Sequence, residues 1–306
     1  MSRCSVVPLV LQFIKAGSKQ PASNPGFSHA LKLSYNLISK ERLKWAGDTL
    51  TYRYRLSEDM GKFSASLLLA IMDELTTNAC FGAGMPSSPG VSLQMSLGLC
   101  RGRQCSRLYS LRELDVVSTV TKLGRTISFT QTNFIDPEHE EVLAFGSHIK
   151  YMPIGNLIMN IVFNQKWAWD IYSRFCLGSP PRFYEEKCLY KDVLGKNIIH
   201  MGIGTASFHM TSEHTNPFGG LHGGCHAVLM EIVGERLAIE TLKSPNQVIL
   251  NSISIEYIAT ARRGTLTVKA VSVTESQMKV MIRSEEGRTL SIGTLVWSTE
   301  SITSKL

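Results

Sequence analysis

The most informative part of the chain reads His214-Thr-Asn-Pro-Phe-Gly-Gly-Leu-His222-Gly-Gly-Cys-His-Ala-Val-Leu-Met-Glu231. It joins a polar, glycine-rich loop to an apolar run with helical character that begins at about His222 and contains a carboxylate. Glycine lets a ligand approach bare backbone amides, and a helix start offers unpaired N–H groups at the positive end of its dipole. The stretch therefore predicts a ligand-binding loop at the start of a helix, with Glu231 as a candidate base.

Size and composition indicate a folded chain that can hold two domains. The 306 residues are 43% hydrophobic and 19% charged, which is enough to bury a sizeable core. The net charge of +7 suits an anionic partner, and coenzyme A, nucleic acid, anionic lipid or simply a solvated surface would all account for it. The 7 cysteines include no CxxC pair, which indicates a reducing compartment.

The termini carry two competing targeting signals. The last three residues, Ser304-Lys305-Leu306, form the tripeptide that the peroxisomal import receptor binds at a free C-terminus, so a peroxisome or related organelle is favoured. Residues 1–40 contain basic but no acidic side chains, a composition also typical of a mitochondrial presequence. Since the longest apolar run, 154–163, falls short of the roughly 20 residues that span a bilayer, we expect no membrane span.

The first half of the chain predicts an α+β domain. Residues 1–30 are rich in proline, glycine and serine and are interpreted as a leader or flexible arm. An alternating strand at 49–56 precedes a helix at 64–81 that is apolar on nearly all sides and must be surrounded by other structure. The strands predicted after this helix are 91–99, 108–121, 125–134 and 142–151.

The second half repeats this order. Strand 203–211, the glycine loop and a helix at 222–242 are followed by strands predicted at 248–257, 265–273, 278–283 and 289–297. The two helices can be registered on their carboxylates, Asp73 and Glu231, which indicates an internal duplication. The domains are expected at 31–152 and 197–298, with a structured linker at 153–196 and a tail at 299–306.

The loop carries a resemblance to a known family. In this order, Asn216, His222 and the pair Gly223-Gly224 resemble the loop and helix signature of hotdog-fold acyl-CoA thioesterases, in the phenylacetyl-CoA thioesterase-like branch. Two helix-and-sheet units in one chain resemble the double-hotdog members. The resemblance implies two tandem hotdog domains, each a long helix wrapped by a curved antiparallel sheet, which form an intrachain pseudo-dimer and can pair into larger oligomers.

The same resemblance implies an active site shared between the two domains. The loop of one unit faces a helix carboxylate of the other, so Asn216, His222 and Gly223 are expected to face Asp73. Glu231 is expected to face the corresponding loop of the first domain, which lacks the His-Gly-Gly sequence. We therefore predict one working site and one vestigial site per chain.

Thioester hydrolysis assigns a role to each loop residue. The amides near Gly223 and Gly224 are expected to stabilise the oxyanion, and loss of such a donor typically costs on the order of 100-fold in rate. Asn216 would orient the water or the thioester, and His222 would fix the loop or donate to the carbonyl oxygen. The alternative is that Asn216 and His222 only cap the loop and the helix.

Asp73 is the candidate general base or nucleophile. It follows an apolar run, so burial is expected to raise its pKa as a poised base requires. Direct attack by the carboxylate is equally compatible with the sequence, as is an Asp that merely ends the apolar segment. Thr76 and Thr77, one turn on, are expected to hydrogen-bond the carboxylate or water unless they are ordinary helix residues.

Acyl-CoA is the expected partner, and no nucleic acid is expected. Coenzyme A is part of this substrate, and no metal or redox cofactor is implied, because His222 and His226 lack the further residues of a zinc site. The phosphates of coenzyme A suit arginines at the mouth of the site, unless these are plain surface charge. The candidates by position are Arg262, Arg263, Arg101 and Arg103.

Other enzyme classes lack their residues. The chain has neither the GxSxG elbow of α/β-hydrolases nor a P-loop. The segment from His214 to Gly219 is similar to the Asp-x-Asn-Pro-x-His motif of hotdog enoyl-CoA hydratases, but it has His in place of Asp and Gly in place of His. A hydratase is therefore disfavoured.

Two functions remain for this chain. The first is an acyl-CoA thioesterase of lipid metabolism, which releases a carboxylic acid and coenzyme A. The second is a catalytically inactive hotdog pseudo-dimer that serves as a binding or structural subunit of a mitochondrial complex. An Asp73 carboxylate that points at the Asn216 loop favours the enzyme, whereas one that points into solvent or a salt bridge favours the inactive subunit.

Overall fold

The computed structural model describes residues 43–56, 61–83, 90–124, 126–151, 194–216, 219–244, 248–261 and 264–299. The predicted arm, nearly all of the predicted linker and the C-terminal tripeptide lie outside these residues. No helix in the described ranges is long and apolar enough to cross a membrane.

Within the described ranges, each half of the chain supplies six strands and one long helix. In the first half these are β1 Leu43–Ala46, β2 Thr49–Arg55, α1 Ala65–Gly82, β3 Val91–Leu99, the short α2 Arg103–Ser110, β4 Glu113–Leu123, β5 Ile127–Ile135 and β6 Val142–Tyr151. In the second half they are β7 Ile198–Gly202, β8 Thr205–Met210, a 3-10 turn Ser212–His214, α3 Gly223–Thr241, β9 Val248–Tyr257, β10 Gly264–Ser272, β11 Gln277–Ser284 and β12 Thr289–Thr299.

The strands form one continuous 12-stranded antiparallel sheet in the order β1-β2-β4-β5-β6-β3-β9-β12-β11-β10-β8-β7. The first six positions belong to the first half and the last six to the second. β3 and β9 join the halves as an antiparallel pair, with Met95 opposite Ile255. The helices α1 and α3 contact each other and the strands of their own halves. The predicted architecture, a helix packed on an antiparallel sheet twice over, is confirmed.

Both helices are enclosed by this arrangement. Every side chain from Leu67 to Met72 in α1 is fully buried, and in α3 the residues from Ala227 to Met230 are buried as well. Burial on all sides explains why the sequence of α1 is apolar on nearly every face. The two carboxylates that end these runs are thereby held inside the protein.

Matching contacts between helix and sheet relate the two halves. Met72 of α1 lies over Gly146 of β6, and Met230 of α3 lies over Gly293 of β12. A Cβ atom on either glycine would collide with the methionine sulfur, so a side chain at either position would force that methionine to repack. The sequence aligns α1 with α3, and the structure shows that the strands packed against these two helices align in the same way.

Several strand predictions differ from the structure at their edges, and the cause is visible for two of them. The strand predicted from residue 108 begins at Glu113, because Cys105 and Leu108 are instead buried on one face of α2. The strand predicted from residue 203 begins at Thr205, because Gly204 adopts a positive φ of 69° in the turn after β7. β7 itself was not predicted.

Candidate functional site

The carboxylate of α1 meets the start of α3 at the boundary between the two halves. Asp73 is 6% exposed, and its Oδ2 lies 3.6 Å from Nδ1 of His222. A Cβ built on Gly223 would lie 2.5 Å from the same oxygen, so only glycine lets the helix start approach the carboxylate this closely. The structure thus brings Asp73, His222 and Gly223 together.

The two oxygens of Asp73 have different surroundings. Oδ1 accepts a hydrogen bond from Ser92 Oγ at 3.1 Å and lies 3.3 Å from Lys150 Nζ, which donates to it. No donor among the described residues reaches Oδ2 within hydrogen-bonding distance. One oxygen is therefore anchored, and the other is available on the side of His222 and Gly223.

This environment holds the pKa of Asp73 well below its ordinary value. Burial by itself raises the pKa, but the positive charge of Lys150, with smaller contributions from His222 and His148, outweighs it. The prediction of a raised pKa is wrong because the sequence did not show that β6 places a lysine beside this carboxylate. Asp73 is ionised at neutral pH.

His148 connects Ser92 to α1. Its Nε2 lies 3.0 Å from Ser92 Oγ, and its Nδ1 lies 2.7 Å from Thr76 Oγ1. Burial, reinforced by the charge of Lys150, lowers the pKa of His148 to about 3, so the ring is neutral at physiological pH. Because Ser92 donates to Asp73, His148 Nε2–H donates to Ser92, which gives a hydrogen-bonded chain from imidazole to hydroxyl to carboxylate.

His222 caps α3 with its side chain. Nδ1 accepts from the Gly224 amide at 3.0 Å, and Nε2–H therefore donates to Oε1 of Glu74 at 2.7 Å. Burial opposes a charge on this ring, but the hydrogen bond to Glu74 and the charges of Asp73 and Glu74 raise the pKa of His222. With both nitrogens engaged, His222 fixes the loop, and the alternative role as donor to a substrate carbonyl is not supported.

The loop before α3 is closed by its own hydrogen bonds. Oδ1 of Asn216 accepts from the Gly220 amide at 3.1 Å, and the Asn216 amide donates to the Gly220 carbonyl at 2.7 Å. The His222 amide donates to the carbonyl of His214 at 3.0 Å. Asn216 thus shapes the loop through its side-chain oxygen while also lining the cavity described below.

The helix start offers one amide rather than two for an oxyanion. The Gly224 amide already donates to His222 Nδ1, and the Cys225 amide donates to the His222 carbonyl. In the described part of the chain no acceptor is bonded to the Gly223 amide, and the Gly223 carbonyl accepts from the Tyr257 hydroxyl at 2.9 Å. Of the two predicted amides, Gly223 therefore remains the candidate donor.

Thr76 and Thr77 serve the helix and its neighbours. Thr76 Oγ1 lies 2.7 Å from the Met72 carbonyl, and Thr77 Oγ1 donates to the Asp73 carbonyl at 2.7 Å. Lys150 donates to Thr77 Oγ1. Neither hydroxyl bonds the Asp73 carboxylate: the Thr76 hydroxyl donates to His148 Nδ1, and Thr77 bonds back to the preceding turn, as a threonine in a helix readily does.

A cavity of about 240 Å³ opens beside these groups, between the two halves. Its wall includes Asp73 and Lys150 from one side and His222 and Gly223 from the other. The remaining lining residues are Glu74, Thr77, Asn78, Gly90, Val91, Ser92, Leu93, Asn216, Leu221, His226, Tyr257, Ile258, Ala259 and Thr260. The cavity therefore combines polar groups at the helix start with apolar side chains from β3 and β9.

Two of the four predicted phosphate-binding arginines, Arg101 and Arg103, do not line this cavity. Arg101 and Arg103 are exposed and follow β3, whose last residue, Leu99, lies about 23 Å along the strand from Ser92 at about 3.3 Å per residue. Since Gly98 pairs with Ser252, that end of β3 lies toward the start of β9. Arg262 and Arg263, which follow the cavity residue Thr260 by two and three positions in the sequence, lie outside the described residues.

Glu231 occupies the equivalent place at the start of α1. Its Oε2 accepts from Ser66, and Ser64 donates to the same oxygen at 3.3 Å. Ser64 also accepts from the Leu67 amide, so it caps α1 as His222 caps α3. Each carboxylate therefore lies at the start of the other domain's helix, but the groups around the two differ.

The strand register identifies those differences. In the first half Lys150 pairs with Ser92 across a bulge, and in the second half Trp297 pairs with Leu250 across a bulge at the same place. Two residues earlier on β6 and β12, His148 corresponds to Leu295. The serine, histidine and lysine around Asp73 are thus replaced by two leucines and a tryptophan in the second half.

Sequence reasoning missed five residues of this site. Two of them, His148 and Lys150, had one signal in the sequence: they are polar and two residues apart on β6, and a strand places such residues on the same face. The missed residues are Glu74, Ser92, His148, Lys150 and Tyr257.

Solved structures share this architecture along nearly their whole length. A 12:0-ACP thioesterase from Umbellularia californica superposes with a TM-score of 0.55 at 10% identity, over 84% of this chain and 100% of that one. The tesB protein of Mycobacterium avium subs paratuberculosis gives 0.53 at 9% identity, over 90% and 98%. An acyl-ACP thioesterase from Bacteroides thetaiotaomicron gives 0.52 at 12% identity, over 82% and 98%.

At these identities the similarity establishes the fold. The chain has the tandem hotdog fold, and the predicted fold class is confirmed. By sequence, no family model and no curated protein matches the chain.

Proposed function

We propose that this tandem hotdog protein hydrolyses an acyl thioester, with Asp73 as the catalytic carboxylate. The observation that carries the proposal is the contact between Asp73 Oδ2 and the start of α3 at Gly223, on the wall of the cavity. A carboxylate with one anchored oxygen and one available oxygen can hold a water molecule in a fixed direction. The solved structures of this fold that bear thioesterase names support the same class of reaction.

The reaction needs few groups. Asp73 Oδ2 orients the attacking water, whose oxygen forms a bond with the thioester carbonyl carbon. The carbon–sulfur bond then breaks, and the proton lost by the water ends on the departing thiolate, giving a carboxylic acid and a free thiol. The Gly223 amide, at the positive end of α3, is the donor proposed for the oxygen that becomes negative.

The substrate is proposed to be an acyl-CoA. The cavity wall contains the apolar side chains of Val91, Leu93 and Ile258, which suit an acyl group, next to the polar helix start that suits the thioester. The net charge of +7 suits the phosphates of coenzyme A. An acyl group on a carrier protein presents the same thioester, so both carriers belong in the test.

We further propose that each chain has a single working site. Glu231 lies among serine hydroxyls at the start of α1, and the positions of Ser92 and Lys150 are taken in the second half by Leu250 and Trp297. The groups around Glu231 therefore differ from the lysine and β3 hydroxyl that are proposed to orient Asp73. Glu231 is therefore assigned to a vestigial site.

A second candidate function is a binding subunit without catalysis. The observation that favours it is the ion pair between Asp73 and Lys150, together with the engagement of both nitrogens of His222. A carboxylate with a low pKa is a weak base, and a general base works best when its pKa lies near the working pH. In this alternative the cavity holds an acyl thioester without cleaving it.

The test is release of free thiol by the purified full chain from short, long and aromatic acyl-CoAs and from acyl carrier protein thioesters. Hydrolysis by the wild type that disappears in a folded Asp73→Asn variant is the result expected for the enzyme. Saturable binding of an acyl-CoA in calorimetry, without hydrolysis of any substrate, would instead establish the binding subunit.

A further inference from the structure

Lys150 is a buried lysine that the fold does not require. It is 4% exposed on β6, and its equivalent on β12 is Trp297, which is 2% exposed. Two charges placed inside a protein lose much of their hydration, and their attraction often fails to repay that cost. Since the second half fills the same position with an apolar ring, Lys150 is retained for a reason other than packing.

The contacts of Lys150 all lead to the turn of α1 that carries Asp73. Nζ donates to Asp73 Oδ1 at 3.3 Å and to the hydroxyl of Thr77, which itself donates to the Asp73 carbonyl. Ser92 Oγ donates to the same Oδ1 from β3. Two strands therefore hold one oxygen of the carboxylate from two directions.

Anchoring Oδ1 fixes the direction of the other oxygen. A partial rotation of the carboxylate would break the bonds from Lys150 and Ser92 inside a buried site, and a half-turn would only exchange two equivalent oxygens. One oxygen, labelled Oδ2, therefore always faces Gly223 and His222 at the cavity wall. This is the oxygen to which the proposed function assigns the attacking water.

We infer that Lys150 is a positioning residue, which aims Oδ2 of Asp73 at the cavity and keeps the carboxylate ionised throughout the working pH range. Only the expected effect of Lys150 on the reaction rate rests on the proposed function. The effect of Lys150 on the ionisation of Asp73 is a property of the folded protein and can be measured without a substrate.

The other titratable groups that face Asp73 cannot replace Lys150. His148, also on β6, and His226 on α3 both have a pKa of about 3 and are neutral at physiological pH. The pKa of His222, from the loop before α3, is raised, but its Nδ1, the nitrogen nearest Asp73, accepts from the Gly224 amide and so carries no proton in this arrangement. Glu74 on α1 adds a negative charge, and burial together with the charge of Asp73 raises the pKa of Tyr257 on β9, so that its hydroxyl stays neutral. Lys150 supplies the cation.

The direct test is a ¹³C titration of the aspartate carboxyl groups in wild type and in three variants, with Asp73→Asn used to assign the signal. Lys150→Met removes the charge and the donor, Lys150→Gln removes the charge but keeps a donor, and Lys150→Arg keeps the charge. We expect the midpoint of Asp73 to rise by about 1–3 pH units in the first two, the usual effect of losing a nearby opposite charge, and to stay low in the third. An unchanged midpoint in Lys150→Met and Lys150→Gln would overturn the inference.

The second readout is the dependence of kcat and KM on pH with the best acyl thioester. Lys150→Met is expected to lower kcat more than it raises KM and to move the acid limb of kcat/KM upward by the same 1–3 pH units, with Lys150→Arg closer to wild type. A lower melting temperature with an unmoved acid limb would show a merely structural lysine and would overturn the inference. A wild type that hydrolyses no substrate would refute the proposed function, while the carboxyl titration would still decide the role of Lys150.

Discussion

Lys150 and Trp297 stand at equivalent positions of the two half-sheets, each opposite the residue that precedes a bulge in the neighbouring strand. Lys150 pairs with Ser92, and both reach Asp73, whereas Trp297 pairs with Leu250. The indole nitrogen of Trp297 is buried without a hydrogen-bond partner among the described residues, so this ring contributes apolar bulk. The same two strand positions thus carry polar side chains that contact a carboxylate in one half and apolar side chains in the other.

Gly223→Ala should abolish most of the hydrolysis. The new Cβ would lie 2.5 Å from Asp73 Oδ2 and 3.2 Å from the Met95 methyl carbon, so either the carboxylate or the helix start must move. Displacement of a reacting group by about 1 Å can cost on the order of 100-fold in rate, and overpacking typically costs about 1–3 kcal/mol of stability. Thiol release and chemical unfolding measure the two effects.

Ala65→Gly is the matched control, because Ala65 begins α1 as Gly223 begins α3. It should cost at most about 1 kcal/mol and leave hydrolysis near the wild-type rate. Equal loss of activity in both variants would show that the helix starts act only through stability.

His222→Ser should distinguish the role of His222 as the N-cap of α3 from its role in the site. Serine stands at the equivalent position Ser64 and is a good N-cap, so stability should stay within about 1 kcal/mol of wild type, whereas His222→Ala should lose about 1 kcal/mol more. Hydrolysis should fall by roughly 10- to 100-fold in both, because the bond to Glu74 that aligns the loop is lost. Full activity in a stable His222→Ser variant would exclude a role for the imidazole.

Two buried neutral histidines should make the protein sensitive to acid. The pKa values of His148 and His226 are both lowered to about 3, mainly by burial, while an unfolded histidine titrates at about 6.5. The unfolded state therefore binds more protons between these limits, and the free energy of unfolding should fall by up to about 2.7 kcal/mol per pH unit as the pH decreases through this window. Urea unfolding at several pH values measures the slope.

His226→Leu tests the assignment of that slope. His226 bonds Ser291 at 2.7 Å and corresponds to Leu68 in α1, so leucine is an acceptable size at this position. In the variant, the free energy of unfolding should depend less steeply on pH, by about 1.4 kcal/mol per pH unit, which is the contribution of one proton. A slope equal to that of wild type would mean that His226 is not buried in its neutral form.

The helices and the loop could be predicted because their signals are local. An apolar run ending in Asp73, and a glycine-rich loop followed by a second such run, lie within short segments of the chain. In the family that the sequence resembles, the loop of one domain faces the helix carboxylate of the other. This resemblance predicts that Asp73 lies close to His222 and Gly223. The short helix α2 was missed because its few residues also fit a strand.

The rest of the site depended on pairing between distant strands. Lys150 lies 77 residues from Asp73, and the alternating pattern of β6 separates His148 and Lys150 from Ile149 and Tyr151 without indicating which face is buried. The usual expectation turns polar residues outward. Here His148 and Lys150 face inward and Tyr151 is exposed, so the pKa of Asp73 could not be predicted with the correct sign.

The most direct measurement of the central claim compares thiol release by Asp73→Asn and Glu231→Gln, two variants that each replace an equivalent buried carboxylate by its amide. The account predicts that Asp73→Asn loses hydrolysis by about 100-fold or more while Glu231→Gln stays within a few fold of wild type, with both variants folded by circular dichroism. Hydrolysis that survives in Asp73→Asn, or that is lost equally in Glu231→Gln, would contradict a single site built on Asp73.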